Sequence, residues 1–205
     1  MANDTYPVDI AVDYPEKSSR GWAVCTMLGI KSLLLFPHMI VLYALNFVVS
    51  IFFFFSQIAV LFTGKYPEGM ARFIANTMAW QLRVSAFLLG LRDEYPPFVL
   101  SGDPAYALRY SYDYPEKSSR GWAVATMFGI RALALIPHIF VLLFVLIGAA
   151  VVFFISQLAV LFTGKYPRGM FDFMVDTMRW TTRVNAFNYA LTDKYPPFGL
   201  KSSNA

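Results

Sequence analysis

Residues 13–24 have the sequence DYPEKSSRGWAV, and residues 113–124 repeat the same twelve letters. The comparison extends without a gap over residues 13–100 against 113–200, where 52 of the 88 aligned pairs are identical. A fixed internal period indicates a chain built from copies of one structural unit. The sequence therefore predicts two tandem repeats, and each repeat helps to interpret the other.

The composition is typical of a membrane protein. Hydrophobic residues make up 57% of the chain and charged residues 15%, whereas an average soluble domain carries about 25% charged residues. Residues 32–64 and 132–164 contain no Asp, Glu, Lys or Arg, and about 20 apolar helical residues are enough to cross a bilayer core. The net charge of +4, with bases at the ends of these runs, favours anionic membrane lipids as partners and argues against nucleic acid.

The length of each apolar segment predicts a helical hairpin. One helix over residues 21–62 would measure roughly 63 Å, about twice the hydrocarbon thickness, whereas two helices of about 19 residues would each match it. The tight turn is expected at residues 46–50, and at IGAAV, residues 147–151, in the second repeat. Because bases flank each run and the tip has none, the positive-inside rule places both termini in the cytoplasm. The alternative is that residues 21–31 lie along the interface and a shallow wedge follows without fully crossing.

Local signals predict the ends of these elements. Ser18 or Ser19 can cap a helix that begins near Arg20, whereas Gly64 ends the apolar segment and Pro67 suits the first turn of the next helix. That next helix is amphipathic, most clearly in the second repeat, and is expected to lie at the interface or to pack on its own hairpin. Its polar stripe contains Asp172, Asp176, Arg179 and Arg183, and its apolar face contains Phe173, Trp180, Val184, Phe187 and Leu191.

The predicted fold is a mainly α integral membrane protein with two tandem repeats. Each repeat is a transmembrane helical hairpin followed by an amphipathic interfacial helix, and alternating residues near 6–15 and 105–115 add short extramembranous β-strands. The predicted segments are an N-terminal strand segment (1–12), repeat 1 (13–100, hairpin about 20–63, amphipathic helix about 67–92), a linker strand (101–112), repeat 2 (113–200, hairpin about 120–163, amphipathic helix about 167–192) and a tail (201–205).

Four motifs resemble one bacterial family. They are LFTGKYPRGMFDFMVDTMRW (161–180), RVNAFNYALTDKYPPFGL (183–200), YPEKSSRGWAV (14–24) and IPHIFVL (136–142). They are similar to the membrane-protein family described as domain of unknown function 4389, over essentially residues 6–200. The resemblance implies a multi-pass protein of the bacterial inner membrane, and it implies no activity, cofactor or catalytic residue.

No catalytic or metal-binding motif is present, so we expect no enzyme, no catalytic residue and no metal site. The embedded runs lack acids, which argues against a proton relay, and Cys25 becomes Ala125 in the second repeat, which excludes an internal disulfide. His38 and His138 each follow a proline and most simply satisfy backbone groups that the proline frees. The alternative is that the repeats bring the two imidazoles together on a haem iron.

Eight residues are predicted to contact lipid or subunit interfaces. Lys31 and Arg131 fall partway along the apolar helix, where an unpaired charge costs at least ~2.5 kcal/mol, so they either snorkel to the headgroups or bind a lipid phosphate or a carboxylate. The amides within the apolar runs and the aromatic–Arg pairs that both repeats keep are expected to join helices of neighbouring subunits. These remaining six residues are Gln57, Gln157, Trp80, Arg83, Trp180 and Arg183.

These features favour a non-catalytic scaffold or accessory subunit of a membrane assembly. It would act through lipid packing and oligomerisation, as a homo-oligomer or within a larger complex. One alternative is a channel or transporter-like bundle, although few polar residues are available to line a route. The other is an electron-transfer subunit with haem on His38 and His138.

Overall fold

The computed structural model describes residues 6–102 and 105–200, which contain eight α-helices and a two-stranded sheet. The first repeat contains β1 (Val8–Val12), α1 (Arg20–Met27), α2 (Ile30–Leu34), α3 (Phe36–Thr63) and α4 (Glu68–Leu88). The second repeat contains β2 (Leu108–Tyr112), α5 (Arg120–Met127), α6 (Ile130–Ala134), α7 (Ile136–Thr163) and α8 (Arg168–Asn188). The start of the predicted N-terminal segment and the whole predicted tail lie outside the described residues.

Several predicted element ends are confirmed. Ser19 caps α1, since its hydroxyl accepts a hydrogen bond from the backbone N–H of Trp22 at 3.3 Å. Gly64 follows α3 in the left-handed conformation, with φ +72°. Pro67 comes directly before the first residue of α4. The two predicted strands also form, and they pair with each other.

The predicted tight turn within the apolar run is wrong, because α3 and α7 are each continuous over 28 residues. The polar groups near the expected turn stay inside the helix: the Asn46 amide donates to the carbonyl of Leu42 at 2.7 Å, and the Ser50 hydroxyl donates to the carbonyl of Asn46 at 3.0 Å. These bonds to the preceding turn of the helix satisfy both side chains without breaking it.

The chain changes direction earlier, between residues 28 and 36. Gly29 has φ +73° and separates α1 from α2, and Leu35 separates α2 from α3. Pro37 lies in the first turn of α3, where a proline is tolerated because the N–H it lacks would have no helical partner. Pro37 therefore begins the long helix and does not kink it, and the same holds at Pro137 in α7.

The sheet relates the two repeats by a pseudo-two-fold axis. Ile10 pairs with Tyr110, its own counterpart in the second repeat, and the flanking antiparallel pairs match on exchange of the two strands. The axis therefore passes through this central pair, perpendicular to the sheet. Both strands present the same face to the helices, with Val8 and Ile10 buried.

Each repeat docks its N-terminal segment on the other repeat. The backbone N–H of Ser18 donates to the carbonyl of Gly164 at 2.9 Å, and Ser118 donates to Gly64 at the same distance. The Tyr14 hydroxyl also donates to the carbonyl of Tyr166. As a result α1 packs on α7 and α5 packs on α3, so the repeats are intertwined and are not two independent hairpins.

The long helices α3 and α7 run in opposite directions. His38 near the start of α3 bonds Trp80 in the second half of α4, so α3 and α4 are antiparallel. The Tyr66 hydroxyl, just before α4, donates to the carbonyl of Tyr189 at the end of α8 at 3.3 Å, so α4 and α8 are also antiparallel. Trp180 donates to His138 in the same way, so α7 and α8 are antiparallel as well. Three antiparallel steps, from α3 to α4, from α4 to α8 and from α8 to α7, leave α3 and α7 antiparallel.

The helices α4 and α8 form the middle of the molecule. The sheet contacts both of them, α3 packs on α4, and α7 packs on α8. Part of the predicted apolar face of α8 is therefore covered by its own repeat, since Trp180, Val184 and Phe187 share a core cluster with Leu135 and Leu142. Two larger clusters combine residues of both repeats under the sheet.

Candidate membrane interface

The long helices leave most of their apolar side chains uncovered. Only 17% of the most apolar stretch of α3, and the same share of α7, is buried within the molecule. Tyr43, Phe47 and Phe62 are among the exposed side chains of α3, and Phe62 is 75% exposed. Both helices are long and apolar enough to cross a membrane, and their exposure is opposite to that of a core helix in a soluble protein, which is mostly buried.

The short helices extend this apolar surface. Leu28 and Leu33 are exposed beside α3, and Phe128 and Leu133 are exposed at the matching positions of the second repeat. Because α1 lies along α7 and α5 along α3, the exposed apolar residues of the two repeats adjoin each other. We call α1, α2, α3, α5, α6 and α7 together the apolar layer.

The sheet and its surroundings carry exposed charges. Arg109, next to Tyr110 of the central pair, forms an ion pair at 2.6 Å with Asp13, which follows the end of β1, and the two side chains are 65% and 51% exposed. Exposed ion pairs also occur at the start of each middle helix, Glu68–Arg72 in α4 and Arg168–Asp172 in α8. We call the sheet with α4 and α8 the polar layer.

The ammonium group of Lys31 is buried inside the protein. It donates to the carbonyl of Phe87 at 2.9 Å, near the C-terminal end of α4, and lies 4.4 Å from the centre of the Phe87 ring. The negative end of a helix dipole favours a cation at this position. Burial lowers the pKa of Lys31 to about 8. The side chain does not reach the surface of the protein. Lipid binding by Lys31 stays a prediction, and the contacts inside the protein give a different reason for a base at this position.

Arg131 occupies the same place in the second repeat and makes more bonds. Its guanidinium donates to the carbonyls of Phe187 (2.8 Å) and Thr192 (3.0 Å), to the Thr126 hydroxyl (3.0 Å), and to the Asp193 carboxylate (2.5 Å). That carboxylate also accepts the backbone N–H of Ser119 at 2.6 Å. The buried base thus joins the end of α8 to the start of α5.

The two histidines lie in separate aromatic clusters. The Trp80 indole donates to Nδ1 of His38 at 3.0 Å, and the His38 ring stacks on Phe98 with centroids 3.7 Å apart. The His138 ring makes the equivalent contacts. Because Nδ1 accepts this bond, the proton of a neutral imidazole is on Nε2, which leaves neither nitrogen with a free lone pair. Haem binding stays an untested prediction that this arrangement does not favour.

Gln57 and Gln157 are buried where the repeats meet. The Gln157 amide donates to the carbonyl of Leu89 at 3.3 Å, and a Cβ atom added at Gly90 would lie 2.7 Å from its nitrogen. The Gln57 amide donates to the Ser56 hydroxyl at 3.1 Å. The bond to Leu89 links α7 to the other repeat within one chain. A role of these amides between subunits stays a prediction.

The two predicted arginines of the middle helices, Arg83 and Arg183, are also buried. Arg83 donates to the carbonyl of Val99. Arg183 and Arg179 both donate to the Asp9 carboxylate in β1, at 3.3 and 2.9 Å. The polar stripe of α8 therefore binds the sheet. Asp9 could not be identified from the sequence as the partner of this stripe, because it lies 170 residues from Arg179 and 174 from Arg183.

A cavity of about 450 Å³ lies between α4, α7 and α8. Its lining combines apolar side chains such as Phe153 and Met178 with polar ones such as Gln81 and Asn185. Among the described residues, no group of three or more His, Cys, Asp or Glu side chains could hold a metal ion.

Comparison with known families agrees with the internal repeat. The sequence model of the family described as "Domain of unknown function (DUF4389)" matches residues 26–99 and again residues 126–199. Both matches begin after the repeated dodecamer. Neither a curated protein nor a solved structure matches the chain. The two matches together cover more than half of the sequence, and the chain therefore belongs to the DUF4389 family, with two tandem copies of its domain.

Proposed function

We propose that the protein is a non-catalytic membrane scaffold whose apolar layer is embedded in one leaflet of the bilayer while its polar layer faces water. The observation that carries the proposal is the division of the surface, with exposed Phe, Leu and Ile side chains on the apolar layer and exposed ion pairs on the polar layer. A contiguous exposed apolar surface of this extent needs an apolar partner. Lipid supplies one for both repeats at once.

The opposite directions of α3 and α7 favour an orientation in the plane of the membrane. If both helices crossed the bilayer, the sheet at the pseudo-two-fold axis would lie midway between the two faces. The exposed Arg109–Asp13 pair would then be at the bilayer centre, where even one charge costs at least ~2.5 kcal/mol. With the axis along the membrane normal, this pair lies in water and both long helices lie at one depth. This is the shallow-wedge alternative.

The in-plane orientation places both copies of the dodecamer on the same face of the membrane. The positive-inside rule then favours the cytoplasmic face of the bacterial inner membrane for the basic residues. Inserting helices of roughly 42 Å into a single leaflet adds area there, which is suited to shaping or organising a membrane and to assembly with further copies or partners. A channel or transporter would instead need helices that cross.

Cysteine labelling tests the orientation. In a Cys25→Ala background, single cysteines replace Glu16, Glu116 and Arg109 in the exposed polar regions and Tyr43 in the apolar layer. We expect a membrane-impermeant maleimide to label the first three from the same side of sealed vesicles. The cysteine at Tyr43 should react only after detergent is added. Labelling at 16 and 116 from opposite sides would mean that the long helices cross, and release of the protein by alkaline carbonate would refute membrane insertion.

A further inference from the structure

Basic residues of both repeats converge where the first dodecamer meets the second repeat. Lys17 and Arg20 flank Ser18, whose backbone bonds Gly164, and Lys165 follows that glycine directly. The Arg20 guanidinium lies against the Gly164 backbone, with Nε 3.5 Å from the position that a Cβ atom would take. All three bases are exposed.

The pseudo-two-fold axis creates the same cluster at the other end of the molecule. Lys117 and Arg120 meet Lys65 there, through the bond between Ser118 and Gly64. The Arg120 guanidinium also donates to the carbonyl of Phe62 at 3.1 Å, in the last turn of α3. We call these clusters the two basic junctions.

We propose that each basic junction binds the phosphate of an anionic phospholipid headgroup. The junctions lie at the edge of the apolar layer, beside Phe62 and Phe162, each 75% exposed. At this border a bound lipid can place its chains along α3 or α7 and its phosphate among the bases. The inference rests on the proposed in-plane orientation, which puts both junctions at headgroup depth in the same leaflet.

The charges at the junctions are available for such a ligand. None of the six bases forms an ion pair with a described residue, whereas most of the other arginines do. Two acids lie close to the first junction: Glu16, next to Lys17 in sequence, and Asp93, whose carboxylate accepts the backbone N–H of Ser19 at 2.6 Å. Glu116 and Asp193 take the same places at the second junction. Three bases against two acids leave each junction with a net positive charge. Lys31 and Arg131, the bases that the sequence singled out for lipid, are bonded inside the protein instead.

Arg20 and Arg120 also contact the ends of the long helices, so replacing them would disturb the fold as well as any lipid site. Arg120 binds the carbonyl end of α3, and a cation there stabilises the helix whether or not lipid is present. The lysines show no such contact, and so they test lipid binding with little risk to the fold. The test variant is Lys17→Gln with Lys165→Gln. Its control is Arg72→Gln with Arg109→Gln, which removes the same charge from the polar layer.

The experiment measures transfer of the full-length protein from detergent into vesicles by flotation. The vesicles contain phosphatidylcholine alone, or phosphatidylcholine with 30% phosphatidylglycerol. We expect the parent protein to favour the anionic vesicles, and more weakly at high salt. A base near an anionic surface contributes about fivefold, so the lysine variant should lose about 30-fold of this preference. The control should stay within about twofold of the parent.

The other outcomes separate the inference from the proposed function. Equal loss in the test and control variants, or parent binding that ignores phosphatidylglycerol, would overturn the junction sites while leaving membrane insertion intact. Loss of the preference in inorganic phosphate, compared with chloride at the same ionic strength, would show a site for free phosphate and overturn the lipid assignment. Failure to enter either kind of vesicle would overturn both proposals.

Discussion

Replacing each buried base by methionine tests whether Arg131 and Lys31 hold the protein together from within. Arg131 makes three hydrogen bonds to uncharged groups and an ion pair with Asp193, whereas Lys31 makes one bond, to the carbonyl of Phe87. The two positions are equivalent under the pseudo-two-fold axis, so one chain contains both the strong and the weak version of the same site. Methionine preserves most of the apolar volume and removes the charge.

The structure sets the expected magnitudes. Removing one partner of a buried ion pair costs about 3–5 kcal/mol. The Arg131→Met change should fall near the lower end, because Asp193 keeps its bond to the backbone of Ser119 and its side chain is 27% exposed. The Lys31→Met change leaves one carbonyl unpaired, at a cost of about 1–3 kcal/mol, and it also removes the penalty of a buried charge. We therefore expect Arg131→Met to cost about 2 kcal/mol more than Lys31→Met.

Thermal unfolding in detergent micelles, followed by tryptophan fluorescence, measures the difference. For a chain of this size, 1 kcal/mol shifts the Tm by about 2–4 °C, so the Arg131→Met variant should unfold roughly 4–8 °C below the Lys31→Met variant. Arg131→Lys, which installs the base of the first repeat, should lie between the parent and Arg131→Met. Equal Tm values for the two methionine variants would refute the reasoning. An unchanged Tm with loss of co-purifying anionic lipid would restore the lipid role.

Two further changes probe the contact between the repeats and the buried charge. Gly90→Ala should lower the stability by about 2 kcal/mol in the same assay, because φ is +70° and the new Cβ would meet the Gln157 amide. Ala190→Gly, at the matching position with φ 57°, should raise the stability by about 1 kcal/mol. An unchanged Tm in Gly90→Ala would argue against the close approach to Gln157. The pKa of Lys31 is about 8 in the folded protein, against 10.5 for a free side chain, so the unfolded state binds more protons between these values and stability should rise with pH across that window. A pH titration of the Tm checks this, and the rise attributable to this group should be absent in Lys31→Met.

Local signals in the sequence were sufficient for the element ends but not for the path of the apolar run. Ser19, Gly64 and Pro67 act on their immediate neighbours, and each lies where predicted. The predicted turn is wrong because neither the length of the run nor its uncharged middle fixes where the chain changes direction. Gly29 and Leu35 divide the run near its start, and the remaining 28 residues then form a single helix. A helix that lies in the membrane plane is not limited by the thickness of the hydrocarbon core.

The candidate site was harder to predict because its contacts join distant parts of the chain. The type and position of Lys31, Gln157 and Arg183 marked them as unusual, and all three are buried. Their partners are Phe87, Leu89 and Asp9, which lie between 56 and 174 residues away along the chain. From the sequence, lipid or neighbouring subunits are the expected partners of these side chains, because the pattern of a single repeat points to no partner within the chain. Lys31 finds its partner in its own repeat, in the fold of α4 back along α3, whereas Gln157 and Arg183 find theirs in the other half of the chain.

The exchange of N-terminal segments gives a physical reason for the repeated dodecamer. Residues 13–24 bind the joint that follows α7, and residues 113–124 bind the joint that follows α3. Both surfaces of this contact are duplicated without change, since residues 59–67 and 159–167 are also identical. A change in one dodecamer would alter one contact and leave its pseudo-symmetric partner as it was, so the two ends would no longer match. A single repeat could not close this contact with its own joint, because the joint lies at the far end of α3. The smallest unit that satisfies the contact is therefore a pair of repeats, which this protein holds in one chain.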